Sequence, residues 1–234
     1  MITIRRSQDR GHFNHGWLNT YHTFSFGDYH DPRHMGFSVL RVINEDFVEP
    51  GQGFAPHAHR DMEIITYVLE GALEHKDSID NTSVIRAGDV QRMSAGSGVT
   101  HSEYNHSGKE AVHLFQIWIL PKQKGRKPGY EQKTFGDTGR VNQLRLIASS
   151  DGRQGSVSLG QEILLYDCRL ETGHSINYAL AQDRAVWLQM ARGSLRIAGG
   201  TTLEAGDGAA VTAESAFEIS SGSGAHFLLF DLPQ

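Results

Sequence analysis

Two short pairs carry the chemistry of this chain. His57-Ala58-His59 is followed some forty residues later by His101-Ser102-Glu103, and each pair has ligand-type side chains two residues apart. In a β-strand, side chains at i and i+2 point to the same face, so each pair presents two donors in one direction. If the two strands face each other across a small barrel, four donors converge on one point. Three imidazoles and a carboxylate suit Fe(II), Zn(II), Co(II), Ni(II), Cu(II) or Mn(II), and suit Ca or Mg poorly. An isolated His-x-His is more often two solvated histidines, but two such pairs in one chain point to a metalloprotein.

The elements that must position these residues read as strands and turns. Gly51 and Gly53 precede His57, the run Ile64-Ile65-Thr66-Tyr67-Val68-Leu69 follows, and Glu70-Gly71 ends it where a hairpin would turn. Ala87-Gly88-Asp89-Val90 and Ser94-Ala95-Gly96-Ser97-Gly98 lie ahead of His101, with no helical period. This arrangement resembles the two cupin motifs, the first a glycine, five residues and His-x-His, the second a small-residue turn, a histidine and Asn105. It departs from them in having Ser94 where proline is usual and a longer turn from Gly96 to His101.

The rest of the chain repeats the first half weakly. Tyr67 to Leu73, Ala87-Gly88-Asp89 and Leu114 to Pro121 are answered in the same order by Leu188 to Leu195, Ala205-Gly206-Asp207 and Phe227 to Pro233. Two related units in tandem give such a pattern, so an all-β bicupin is expected: two antiparallel β-barrels of the double-stranded β-helix, jelly-roll type. The expected domains are 1–133, which binds metal, and 134–234, which does not. The basic stretch Lys122 to Tyr130, broken by Gly and Pro, reads as a solvated linker between them.

With 234 residues and 26 glycines, the chain is long enough for two cores and rich in turns. The formal charge of -5 and pI near 6.2 offer no basic field for nucleic acid and no membrane-adjacent cluster. Cys168 is the one cysteine, which excludes an intrachain disulfide and leaves metal ligation to histidine and carboxylate. No apolar run follows the charges of the amino terminus, and the cytoplasm is the expected location, as a monomer or homodimer.

Eleven of the 13 histidines lie at or before His113, whereas the second half has His174 and His226 far apart. His174 is read as a surface residue, and the second unit as support for the first or for a dimer. In the first half, His12, His15, His22, His30 and His34 fall in an irregular stretch and are read as turn contacts. His75 is read either as a pocket neighbour of the metal or as a satisfied strand histidine, and Trp17, Phe24 and Phe26 chiefly as core. The carboxylate ligand has two candidates. Cupins usually take one a few residues after His-x-His, which is Glu63 here, but Glu63 lies on the order of 13 Å past His59 along an extended strand. Glu103 arrives with His101 and is favoured.

Taken together, His22-Thr23-Phe24-Ser25-Phe26-Gly27, Asp31-Pro32, Gly36-Phe37, Leu40 to Asn44, His57 to Glu63 and Ser94 to Glu103 resemble the pirin family over the first 135 residues or so. The tail is similar to the bacterial pirin-like proteins with quercetin 2,3-dioxygenase activity. The resemblance implies one divalent transition metal per chain, Fe(II) first among the candidates, held by His57, His59, His101 and Glu103. It implies a flavonol and dioxygen as substrates, with heterocycle opening and loss of carbon monoxide, and Glu103 doubling as catalytic base. A metal-dependent sensor or interaction protein without turnover, or another cupin enzyme, are the alternatives on the same ligands.

Overall fold

The structure, a computed structural model, describes residues 1–137 and 139–234. Among these the regular structure is β-strand throughout, apart from three short 3-10 turns, as the period-2 patterning predicts. Among the described residues no helix is long and apolar enough to cross a membrane. The chain forms two compact units. One comprises Gly11–Gly136 with Val157–Gln161, the other Met1–Arg10, Asp137–Ser156 and Glu162–Gln234.

The expected boundary at 133/134 therefore misses an exchange at the amino terminus. Ile2–Arg5 pairs antiparallel with Gly208–Val211, in the unit built from the far end of the chain. Local patterning cannot show this, because a strand's partner is set by which edge is open and not by sequence distance. The linker reading of Lys122 to Tyr130 is corrected too. Gly129–Thr134 is a strand on the edge of the first unit's larger sheet, paired with Asp89–Ser94, and Arg126 accepts a backbone hydrogen bond from Ser97 at 2.8 Å.

In the first unit a seven-stranded sheet runs Gly129–Thr134, Asp89–Ser94, Glu63–Glu70, Val112–Ile119, Leu40–Val48, Leu18–His22, Gly11–Asn14. A four-stranded sheet runs Gly53–His59, Val99–Asn105, Ala72–Asp77, Thr82–Arg86. Apolar residues cluster at two levels: Leu18, Val48, Val68, Leu73, Ile85, Val112 and Leu114 at one, and Ile64, Met93, Ala95 and Val99 at the other. Burial of these side chains is the main force holding the unit together.

In the second unit the strands Ile2–Arg5, Gly208–Val211, Arg184–Ile197, Ala225–Pro233, Leu164–Leu170 and Arg145–Ser149 run in that order. The internal repeat has a shared structural device. Gly88 and Gly206 take left-handed φ of 90° and 82°, a conformation easy only for glycine. The aspartate that follows each accepts a hydrogen bond from the backbone three residues earlier, Arg86 N to Asp89 at 2.9 Å and Glu204 N to Asp207 at 3.1 Å. The halves differ where the first carries its histidines. Ser175–Ala179 pairs with Ala216–Ser220 much as Gly53–His59 pairs with Val99–Asn105, but there Ile176, Tyr178, Phe217 and Ile219 join the apolar core.

Candidate metal centre

His57 and His101 are direct cross-strand partners, on adjacent antiparallel strands of the four-stranded sheet. The donors thus come from neighbouring strands of one sheet, and not from strands facing each other across a barrel as the spacing suggested. Gly53 makes the close approach of these strands feasible, since a Cβ there would collide with the Glu103 carbonyl oxygen and meet Tyr104 Cα at 2.5 Å. A register shift between His101 and Glu103 follows, putting Glu103 opposite Phe54.

His57, His59 and His101 each offer a ligand atom, and these atoms lie within 4.8 Å of one another. A second group with the same spacing joins Glu103 and His101 to His75. His101 is thus common to both groups, and it is 2% exposed with neither ring nitrogen bonded to any described residue. A buried imidazole without partners is costly, and a cation at that point would remove the cost. Burial, then the neighbouring imidazoles, lower the pKa of His101 to about 3, and of His59 to about 4. Both rings are neutral at pH 7, the form in which imidazole binds metal. The donor set therefore fits a transition ion.

Glu103 is buried and held at both oxygens: Thr66 Oγ1 donates to Oε1 at 3.2 Å and Gln116 Nε2 to Oε2 at 2.9 Å. Glu63 has a different address. The chain reverses at Asp61, whose φ is 50°, and Glu63 begins a strand of the other sheet, where it accepts from Ser94 Oγ at 2.7 Å. On that strand Ile64 lines the cavity, so Glu63, one residue away, points to the opposite face. Asn105, expected from the cupin motif, ties a turn by donating to the Val48 and Glu110 carbonyls.

The histidines close one side of a cavity of about 220 Å³ between the two sheets of this unit, lined also by Phe26, Phe54, Ile64 and Trp118 and by the polar Asn44, Asp46, Glu103 and Gln116. Phe26, read chiefly as core, is a cavity wall, whereas Phe24 is core at 2% exposed. Sequence reasoning missed Asn44, Asp46, Gln116 and Trp118. For the three polar residues the signal is the interruption of buried strands, Leu40 to Val48 by Asn-Glu-Asp and Val112 to Ile119 by Gln116. His75 is fully buried and pairs through Nε2 with Asp77 at 3.2 Å. His174 is exposed, as expected.

Burial, with the negative charges of Glu103 and Glu45 nearby, raises the Asp46 pKa to about 7. A carboxyl that is harder to ionise in the fold than in the unfolded chain contributes its full stability below pH 3.8 and loses it as pH rises towards 7. In the metal-free protein, Asp46→Asn is therefore expected to be more stable than wild type at pH 8, by about 2–4 kcal/mol, and to lose that advantage at pH 4. Urea unfolding of both proteins at the two pH values measures this, and an advantage over wild type no larger at pH 8 than at pH 4 would refute it.

Profile comparison matches residues 3–119 to Pirin and residues 146–232 to the quercetinase C-terminal cupin domain. The chain belongs to the pirin family. It is 48% identical over 233 residues to a quercetin 2,3-dioxygenase of Escherichia coli K12, covering 100% of this chain and 99% of that one. A putative quercetin 2,3-dioxygenase of Pasteurella multocida is 44% identical, covering 99% of this chain and 100% of its own length. The crystal structure of the bacterial pirin YhhW from Escherichia coli, in complex with nickel(II), superposes with a TM-score of 0.95 at 48% identity, over 100% of this chain and 99% of that one. The cupin and pirin assignment of the sequence thus holds for both halves of this pirin.

Proposed function

We propose that this pirin is a metal-dependent dioxygenase that opens the heterocycle of flavonols such as quercetin and releases carbon monoxide. The observation that carries the reading is the buried, unpartnered His101 ring, set among His57, His59 and Glu103 at the wall of an apolar cavity. The names of its relatives, and the nickel(II) bound by one of them, support it. In this reading the first unit is the metal-binding cupin and the second a metal-free one, each closing as a jelly-roll barrel. His57, His59, His101 and Glu103 hold one divalent ion; Fe(II) heads the candidates, and Zn, Co, Ni, Cu and Mn suit the same donors.

When bound, the ion supplies Lewis acidity beside the substrate's 3-hydroxyl, bringing its ionisation towards neutral pH. The protein does the rest. Phe26, Phe54, Ile64 and Trp118 receive the flat aromatic body and exclude water. Glu103, oriented by Thr66 and Gln116, takes the hydroxyl proton as general base. The electron-rich anion left in the cavity then meets dioxygen.

The test is oxygen uptake with quercetin by protein loaded with Fe(II), Co(II), Ni(II) or Cu(II), together with bleaching of the flavonol absorbance and carbon monoxide detection. A flavone lacking the 3-hydroxyl is expected to remain unreacted. Binding of quercetin without oxygen uptake by every loaded form would overturn the enzyme reading in favour of a sensor.

A further inference from the structure

The inner face of the seven-stranded sheet has a polar row where the fold calls for an apolar one. Successive cross-strand partners are Gln91 with Thr66, Thr66 with Gln116, and Gln116 with Asn44. Direct partners on neighbouring strands share a face, so the row is continuous, and it runs between the two apolar levels of the core. All four residues are buried, Gln91 at 1%, Thr66 at 0%, Gln116 at 8% and Asn44 at 3% exposed. Burying amides at the middle of a core is costly unless each polar atom is bonded.

They are not all bonded. Because the Glu103 carboxylate only accepts, Gln116 must turn its Nε2 towards it, at 2.9 Å, which leaves Oε1 as an acceptor. That atom and Asn44 Oδ1 have no hydrogen-bond partner among the described residues, and neither has the donor Trp118 Nε1. Asn44, Gln116 and Trp118 all line the cavity. A purely apolar ligand would leave these atoms unsatisfied, and a ligand carrying hydroxyl groups on its aromatic edge would satisfy them.

We propose that Asn44, beside Gln116, is a specificity-determining residue that receives a phenolic hydroxyl other than the chelating one, so that the cavity selects polyhydroxylated aromatics. The choice of ligand rests on the flavonol reading above. Asn44→Val and Asn44→Thr form the discriminating pair, since the two side chains have the same shape, both favour strands, and only threonine can exchange a hydrogen bond.

The probes are quercetin and 3-hydroxyflavone, which keeps the chelating hydroxyl and lacks the others. Equilibrium binding to the metal-free full-length protein is measured for both, and kcat/KM for both with metal loaded. Wild type is expected to prefer quercetin by on the order of 10- to 100-fold. Asn44→Val is expected to bring the preference close to unity, and Asn44→Thr to retain part of it. A wild-type preference near unity, or one that Asn44→Val leaves intact, would overturn the proposal. If no loaded form takes up oxygen with either compound while the binding preference follows the expected order, the dioxygenase reading fails and the role of Asn44 stands.

Discussion

His101→Ala is expected to abolish metal retention and, with it, oxygen uptake with quercetin. His101 is the donor common to both candidate ligand groups, so no rearrangement among the remaining side chains restores either set. Loss of a partner that merely orients a ligand weakens metal binding about 10- to 100-fold, and loss of the ligand itself should exceed that. The effect on the fold should be small by contrast. In the metal-free state the ring is buried with neither nitrogen bonded among the described residues, so its removal relieves a polar burial cost while enlarging an existing cavity. Calorimetry with and without added metal separates these effects: the metal-dependent rise in Tm disappears in the variant, while the metal-free Tm stays near wild type. Glu63→Ala serves as the comparison, because its carboxylate faces away from the cavity, and metal content near wild type is expected there. A His101→Ala protein that still binds one equivalent of metal would remove the basis of the site.

The largest stability effect is expected outside the unit that carries the metal residues. In the second unit Asp167 is 1% exposed and lies between Arg140 and His226, accepting from Arg140 Nη1 at 2.9 Å and bonded to His226 Nε2 at 2.8 Å. Burial pushes the Asp167 pKa up, but the hydrogen bonds and charges of His226 and Arg140 outweigh it and hold the group below its ordinary value. Its contribution is therefore complete above pH 3.8 and lost as pH falls below that. At pH 7, Asp167→Ala removes the buried carboxylate shared by Arg140 Nη1 and His226 Nε2, while Arg140 keeps its bonds to the exposed Asp137, and is expected to cost about 3 kcal/mol or more. Arg140→Met together with Asp167→Leu should recover part of the loss, since a well-packed apolar pair needs no counter-charge, but the bond from His226 Nε2 to Asp167 stays lost. Urea unfolding midpoints of the three proteins test this, and equal midpoints for wild type and Asp167→Ala would contradict it.

The residue types and their spacing determined by themselves that this chain is a β-protein with a tandem repeat, and that His57, His59, His101 and Glu103 are its metal candidates. That much is local: i and i+2 share a strand face whatever the strand pairs with, and a Gly-Asp turn needs its glycine in either half. Pairing and facing were decided only in three dimensions. Ile2–Arg5 crosses to the other unit, and the two histidine strands are neighbours in one sheet. Glu63 and Ile64 part to opposite faces of a strand, and Asn44 meets Gln116 across two strands more than seventy residues apart in the chain. The physical reason is the same in each case. A side chain's direction follows from its own strand, but whether that direction leads to solvent, core or cavity depends on the sheet packed against it, which no short stretch of sequence encodes.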